Sequence, residues 1–363
     1  MYFSTSIAKA SRMDSVSLIF TVPEKMTTDA TGSERARLCV IAQKYQLGRE
    51  YMPLHTALAN SFAVTRVYTD DGWPMSIRDI RDYRRFDAVL WFVRFRELIK
   101  RPAFDWADFR GMRLMYDQDA YQNFSLLAGD RFLNAWPKVY RKQRLDALLC
   151  TGEAARDNLR EAGVNAIWVP KAYDPARFFD KCEPREGVCY FGELYDARAA
   201  MLRYLYSSGI QVQRFRCAYT ELNGYLNRFA VCVICNMVAL RAKHPFPLPA
   251  WLRPSGTPRL SPGPEVMLKN YEVGASGCVP FCDPIPEMSK LGFVDGVTMV
   301  SYSGFSDLAD KLSWYLKEPH KLRQISDSAA RLCANRHTWD HRAQQIATII
   351  SSYLRGTQAA VAR

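Results

Sequence analysis

Two aspartates that could act as an acid or a base follow a short apolar run of the chain. Asp117 and Asp119 come directly after residues 112–116, which are predicted to form a strand. Loops at the carboxyl ends of strands in open α/β sheets face the ligand. A carboxylate there can take a proton from a reacting hydroxyl if its pKa is tuned towards neutrality. A turn in which the aspartates cap a helix is the open alternative, and His55 is a weaker candidate for the same chemistry.

A second group of chemically capable residues lies on the helix predicted over residues 265–275. Lys269 is followed three positions later by Glu272, and Gly274 and Gly277 interrupt an otherwise good helical pattern. An interior glycine costs about 1 kcal/mol relative to alanine, so something must require it. Close approach of a ligand or capping of the helix end would each explain Gly277, and both can hold together.

Spacing excludes several familiar cofactor and metal sites. Residues 43–48, which follow the first predicted strand, do not contain the Gly-x-Gly-x-x-Gly turn of a nicotinamide enzyme. The Gly-x4-Gly-Lys-Ser/Thr pattern of phosphoryl-transferring P-loops does not occur either. Cys232 and Cys235 lie three residues apart on a predicted strand, so they point to opposite faces and do not suggest zinc. The sequence therefore gives no sign of a nicotinamide, P-loop or zinc site.

Strand-sized apolar runs alternate with helix-sized amphipathic stretches along the chain. This alternation predicts α/β structure with parallel sheets, and the unbroken apolar character of the strands predicts that both sheet faces are covered. The strands predicted in the first half are 37–42, 64–68, 87–93, 112–116, 147–150 and 166–170. Those predicted in the second half are 188–191, 210–215, 230–234, 279–282 and 297–301. Two Rossmann-like halves are therefore expected to meet near the polar, turn-rich residues 172–186.

Two segments fall outside this alternation. Residues 1–36 are interpreted as a mobile N-terminal extension, because a Thr/Ser/Asp/Gly-rich stretch separates them from the first strand. Residues 238–263 carry six prolines and cannot form a helix or a central strand. A loop of this length is either functional or disordered, and the sequence leaves both interpretations open.

Charge and composition limit the class of partner. The 363-residue chain has 49 Lys+Arg and 37 Asp+Glu, a net charge of +12, and it is 48% hydrophobic, which excludes disorder as its main state. The ten cysteines lie mostly in apolar runs, as buried thiols of a cytoplasmic protein do. The positive excess favours an anionic partner: nucleic acid, an acidic membrane surface or a phosphorylated small molecule.

Residues 267–280 resemble the donor-site segment of GT-B glycosyltransferases. In that segment a helix carries a basic residue, then a glutamate, then Ala-x-Gly-x-x-Pro, here Lys269, Glu272, Ala275, Gly277 and Pro280. More narrowly, the C-terminal half resembles the spore-protein CgeB-like glycosyltransferase group, through residues 190–198, 269–277 and 337–342. Together with residues 147–178, the resemblance spans about residues 145 to 345.

The resemblance implies a nucleotide-sugar donor and gives each donor-site residue a role. Glu272 would accept hydrogen bonds from both ribose hydroxyls. Arg198 and Lys269 would stabilise the diphosphate as its negative charge grows, and Gly192 lies before a helix whose free N–H groups favour phosphate. Gly277 would let the donor approach closely. Asp117 and Asp119 would then serve the acceptor as catalytic residues.

The resemblance also implies a GT-B architecture with a cleft between two domains. Residues 37–175 would form the acceptor domain, residues 186–336 the donor-binding domain, and residues 337–363 a helix that returns to the first domain. The resemblance further implies no essential metal and no bound cofactor, since this fold generally holds the diphosphate with basic side chains and helix N-termini. The acceptor could be a glycan, a lipid or a protein. A cytoplasmic location is expected, with peripheral contact at the inner face of the membrane as a further expectation.

One departure and two alternatives limit this interpretation. Many retaining members carry a second glutamate eight positions before the first, but Pro264 is there and Glu265 is displaced by one. We therefore do not expect Glu265 to act on the sugar, and retention or inversion of the anomeric configuration stays open.

Basic clusters at 78–85, 94–101 and 141–144 would suit a nucleic-acid-binding protein, although no nucleic-acid module covers them. A non-catalytic nucleotide-binding protein of the same fold is the other alternative.

Overall fold

The computed structural model describes residues 35–44, 52–124, 132–194, 196–236, 238–239, 260–261 and 264–361. Nearly all of the predicted N-terminal extension and most of the proline-rich segment 238–263 lie outside these ranges. Among the residues described, no helix has the length and apolar character that crossing a bilayer requires.

The first half of the chain forms a six-stranded parallel sheet in the order β2-β1-β3-β4-β5-β6. Most residues of the four central strands are buried, which shows that both faces of the sheet are covered there, whereas most residues of the two edge strands are only partly buried. The strands are β1 (Arg37–Ala42), β2 (Ala63–Tyr68), β3 (Ala88–Phe92), β4 (Met112–Asp117), β5 (Ala147–Cys150) and β6 (Ala166–Trp168). The helices described here are α1 (Met52–Ser61), α2 (Phe95–Leu98), α3 (Trp136–Lys142) and α4 (Glu153–Glu161).

The second half forms a five-stranded parallel sheet in the order β13-β12-β9-β7-β8. Its strands are β7 (Val188–Phe191), β8 (Val212–Phe215), β9 (Val231–Ile234), β12 (Val279–Cys282) and β13 (Val300–Ser301). The strands β10 (Val238–Ala239) and β11 (Leu260–Ser261) pair antiparallel outside this sheet. The helices are α5 (Asp196–Ser207), α6 (Leu222–Leu226), α7 (Leu268–Ala275), α8 (Phe305–Tyr315), α9 (Pro319–Arg336) and α10 (Trp339–Val361).

The last helix, α10, crosses back to the first sheet. Trp339, Ile346 and Ile350 are buried in the apolar core that also contains Leu54 and Leu58 of α1. Burying side chains of this size contributes about 1.5–3 kcal/mol each. The helix predicted to return to the N-terminal domain is therefore a structural part of that domain.

The chain passes between the two sheets twice at one place. The backbone N–H of Tyr173 donates to the carbonyl of His337 (3.0 Å), and the N–H of Trp339 donates to the carbonyl of Tyr173 (3.2 Å). The buried guanidinium of Arg342 donates to the carbonyl of Pro170 (2.9 Å) and contacts Nδ1 of His337 (2.8 Å). The outgoing and returning segments thus form one hydrogen-bonded crossing.

Candidate active site

Lys269 lies under the turn that follows β7. Its ammonium donates to the carbonyl of Phe191 (3.0 Å) and lies 5.4 and 4.8 Å from the ring centroids of Tyr190 and Phe191. Gly192 has φ +99°, and a Cβ at this position would come within 3.0 Å of the Lys269 Nζ. The backbone conformation therefore favours glycine at residue 192, and the absence of a side chain there leaves room for the lysine.

Arg198 adds a second cation beside this lysine. It lies in the first turn of α5, where its guanidinium donates to the carbonyls of Cys235 and Glu193 (3.2 Å each). Burial, together with the charge of Arg198, lowers the pKa of Lys269 to about 8. The structure thus brings Gly192, Arg198 and Lys269 together at the carboxyl edge of the second sheet, where parallel sheets bind ligands.

Glu272 lies one turn beyond Lys269 on α7 and is 3% exposed. Its Oε1 accepts a hydrogen bond from the hydroxyl of Tyr219 (2.6 Å), in the loop after β8. The guanidinium of Arg177 lies over the ring of Tyr219, with its Cζ 4.8 Å from the ring centroid. The carboxylate is therefore held in one orientation by the neighbouring loop.

Gly277 lies away from this group. It has φ +73°, and its N–H donates to the carbonyl of Gly274 (3.2 Å), where α7 ends. A Cβ at residue 277 would come within 2.7 Å of the side chains of Asp180 and Arg185. Because Gly277 precedes β12, it lies at the amino edge of a sheet whose carboxyl edge carries Gly192. The structure therefore favours the capping role for Gly277 and does not place it with the predicted donor-binding residues.

Asp117 and Asp119 lie at the carboxyl end of β4 but have different surroundings. Both oxygens of Asp117 accept hydrogen bonds, one from the indole N–H of Trp136 (2.8 Å) and one from the backbone N–H of Asp119 (3.0 Å). Burial, with the nearby Asp119 charge, raises the pKa of Asp117 to about 7. Asp117 holds the turn, whereas half-buried Asp119 lines a cavity of about 140 Å³.

Glu265 joins the two halves through a buried ion pair. Its Oε1 lies 2.5 Å from the Nζ of Lys171, and its Oε2 lies 2.5 Å from the hydroxyl of Thr151, which follows β5. Burial would lower the pKa of Lys171, but the carboxylates of Glu265 and Asp119 outweigh it and raise that pKa. A Cβ on Gly152 would come within 3.0 Å of the Glu265 Cβ, so the backbones pack closely here.

Glu287 forms a second connection between the halves. One carboxylate oxygen accepts a hydrogen bond from the backbone N–H of Glu153, the first residue of α4. The other accepts one from the backbone N–H of Val266 (2.6 Å each). A carboxylate at a helix N-terminus is favoured by the helix dipole. Burial raises the pKa of Glu287 to about 7, although both backbone donors oppose that shift.

Two other predicted features occupy structural positions. His55 is 1% exposed, packs edge-on against Phe92 (4.9 Å between centroids), and burial lowers its pKa to about 3. In the basic clusters, Arg84 pairs with Asp108 (2.9 Å), and Lys142 donates to the carbonyls of Ile99 and Arg101. Part of the basic surface is therefore occupied by contacts within the protein.

Sequence reasoning did not single out four residues that complete the site. Lys171 had a detectable signal, since a lysine inside an apolar run after a strand needs a partner. The other three belong to connections whose partners are distant in sequence, and no local pattern marks them. They are Thr151, Tyr219 and Glu287.

Comparison with known proteins bears on the fold of this chain. Residues 252–348 match the family described as glycosyl transferase-like. Sucrose-phosphate synthase from Thermosynechococcus elongatus superposes with a TM-score of 0.59 at 11% identity, covering 89% of this chain and 100% of its own. Anabaena HepE in complex with UDP and glucose gives 0.56 at 11% identity, with 88% and 100% covered. The chain has the GT-B fold.

Further comparisons are consistent with the GT-B assignment. A glycosyltransferase from Rickettsia africae gives a TM-score of 0.53 at 9% identity, with 88% of this chain and 99% of that one covered. No curated protein matches the sequence. The predicted α/β architecture, with two Rossmann-like domains, a cleft between them and a crossing helix, is confirmed. In this GT-B fold the residues predicted to bind a donor lie in the second domain, and Asp119 lies in the first.

Proposed function

We propose that this GT-B protein is a glycosyltransferase that moves a sugar from a nucleotide-sugar donor to an acceptor. The observation that carries the proposal is the grouping of Lys269, Arg198 and Gly192 at the carboxyl edge of the second sheet, with Glu272 one turn away. That grouping offers cations and a carboxylate to a ligand with a diphosphate and a diol. The complex of the structural relative HepE with UDP and glucose supports such a donor.

The donor side would act chiefly through electrostatics. As the bond between sugar and nucleotide breaks, negative charge grows on the departing diphosphate, and preorganised cations lower that barrier. Lys269 and Arg198 are held by backbone carbonyls and need little rearrangement. Glu272, oriented by Tyr219, accepts hydrogen bonds from the ribose hydroxyls. Such charge-assisted hydrogen bonds are stronger than neutral ones.

The acceptor side would act through Asp119. Its carboxylate lines the cavity of the first domain and is close enough to the Lys171–Glu265 pair to raise the pKa of Lys171. Asp119 takes the proton of the attacking acceptor hydroxyl, while Asp117 keeps the turn in place through Trp136. The Lys171–Glu265 pair connects the surroundings of Asp119 to the segment that precedes α7 in the second domain.

The finer assignments are part of the proposal. Membership of the CgeB-like group, transfer of a hexose, a donor held without a metal and peripheral contact with a membrane are expectations from the sequence. The diphosphate is assigned to Lys269 and Arg198, and the acceptor is assigned only to the first domain.

Turnover of donors tests the proposal. Wild type, Asp119→Asn and the control Asp82→Asn are incubated with UDP-, GDP-, ADP-, TDP- and CMP-sugars, and released nucleotide is measured. We expect wild type to cleave one series, Asp119→Asn to lose about 100-fold or more in rate while still binding the nucleotide, and Asp82→Asn to match wild type. The control is suitable because Asp82 is exposed and its left-handed conformation tolerates asparagine. A wild type that neither binds nor cleaves any series contradicts the proposal.

A further inference from the structure

The cavity beside Asp119 is lined by both basic and acidic side chains. Arg94 of the loop after β3 and Arg96 of α2 supply the basic groups, and Asp117 and Asp119 after β4 supply the acidic ones. Aromatic and aliphatic side chains complete the lining. The cavity volume is about 140 Å³, which is enough for a small polar group.

The segments that carry these groups are fixed relative to each other. The backbone N–H of Arg94 donates to Oε1 of Gln43 at the end of β1 (2.9 Å). The ring of Phe95 stacks on Trp136 with centroids 4.2 Å apart, and the indole N–H of Trp136 holds Asp117. Trp136 thus connects the segment that carries the arginines to the turn that carries the aspartates, so the backbones of the two segments are held at a fixed separation.

The basic and acidic groups that line the cavity differ in what they can bind. Guanidinium groups stay charged, and their planar forks match phosphate and carboxylate oxygens. Both oxygens of Asp117 are already bonded, so Asp119 supplies the acidic group. Neighbouring apolar walls lower the local dielectric and strengthen both interactions.

We infer that the acceptor is an anionic alcohol, whose phosphate or carboxylate binds Arg94 and Arg96 while its reacting hydroxyl lies against Asp119. This inference rests on the proposed function. The acceptor oxygen forms a bond to the anomeric carbon, and the bond from that carbon to the donor diphosphate breaks. Its electron pair leaves with the nucleotide, and the hydroxyl proton passes to Asp119. The two arginines select which hydroxyl-bearing molecule reaches the donor.

Binding of matched probes tests the inference. The soluble probes are glycerol 3-phosphate and glucuronate, with uncharged glycerol and glucose as their controls. Phosphatidylglycerol vesicles, compared with phosphatidylcholine vesicles, test whether the same anionic alcohol is presented by a lipid. Dissociation constants are measured for wild type, Arg94→Gln, Arg96→Gln and the exposed control Arg81→Gln.

We expect an anionic probe to bind at least tenfold more tightly than its uncharged control, and Arg94→Gln or Arg96→Gln to remove that preference. Arg81→Gln should bind like wild type, and all variants should keep nucleotide affinity and melting temperature. Binding of soluble probes indicates a free acceptor, and binding of vesicles alone indicates a lipid one; both support the inference. Equal binding of charged and uncharged probes, with nucleotide affinity intact, overturns the inference alone, whereas a wild type without nucleotide affinity overturns the proposed function.

Discussion

At the scale of single residues, the donor side depends on a lysine whose charge is sensitive to pH. Lys269 is half-buried, its ammonium bonded to the Phe191 carbonyl and lying over two aromatic rings. Burial disfavours the charged form and Arg198 adds repulsion, so the pKa of Lys269 falls to about 8. A cation at this pKa can be neutralised within the range in which proteins stay folded, and strongly shifted groups of this kind cluster at functional sites.

The affinity for a nucleoside diphosphate should therefore decrease as the pH rises through about 8, because Lys269 is charged below that pH and neutral above it. Lys269→Met should bind about tenfold or more weakly at neutral pH and should not show this decrease. Titration calorimetry from about pH 6.5 to about pH 9.5 measures both effects. A decrease of equal size in Lys269→Met would assign the pH dependence to another group.

Residue types on a recognisable segment were predictable, and their tertiary partners were not. Lys269, Glu272 and Arg198 were singled out from their spacing and family resemblance, and Gly192 from its place before a helix. The hydroxyl of Tyr219 reaches Glu272 across 53 residues of sequence. No local pattern encodes that contact, because it depends on how the loop after β8 packs against α7.

At the scale of elements, apolar runs located the strands well because strands buried on both faces leave unbroken apolar sequence. The predicted helix 265–275 begins instead at Leu268. The reason is that Glu265 and Val266 make tertiary contacts instead: Glu265 reaches Lys171, and the N–H of Val266 reaches Glu287. One hydrogen bond across the domains and one within the second domain thus replace the first helical turn.

The end of α7 gives a test of the role of Gly277. Gly277→Ala should lower the free energy of unfolding by about 1 kcal/mol or more, because φ +73° and a contact at 2.7 Å disfavour a Cβ. Its folded form should keep nucleotide affinity. The control Gly356→Ala, on α10 with open space around it, should be neutral or slightly stabilising. Denaturant unfolding and calorimetry measure the two properties, and a stable Gly277→Ala protein without nucleotide affinity would return Gly277 to the donor site.

At the scale of the whole molecule, buried polar contacts hold the two domains in one arrangement. Lys171 and Glu265 are 94 residues apart in sequence, and Glu153 and Glu287 are 134 apart. Sequence patterns predicted two Rossmann-like units, but they carry no information about how the sheets face each other. The arrangement is set by pairs of this kind and by the return of α10 to the first domain.

Removing one partner of the buried Lys171–Glu265 pair should lower the free energy of unfolding more than removing both. Lys171→Met leaves Glu265 buried without its cation and should lower the free energy of unfolding by about 3–5 kcal/mol. The double variant Lys171→Met with Glu265→Gln should lower that free energy by less than the sum of the two single variants. The exposed pair of Lys44 and Asp71 is the control, and Lys44→Met should change stability by about 1 kcal/mol or less. Urea unfolding measures wild type, Lys171→Met, Glu265→Gln, the double variant and Lys44→Met, and strictly additive losses would exclude coupling across the domains.

Nucleotide binding by Glu272→Gln tests the central claim, that α7 and the turn after β7 form a nucleotide-sugar site. Titration calorimetry with UDP, GDP, ADP, TDP and CMP compares wild type, Glu272→Gln and the exposed control Glu183→Gln. We expect one nucleotide to bind wild type and Glu183→Gln equally, and to bind a folded Glu272→Gln at least tenfold more weakly, because the amide cannot accept both ribose hydroxyls as the carboxylate does. Equal affinity in all three proteins, or no binding of any nucleotide to wild type, would contradict the account.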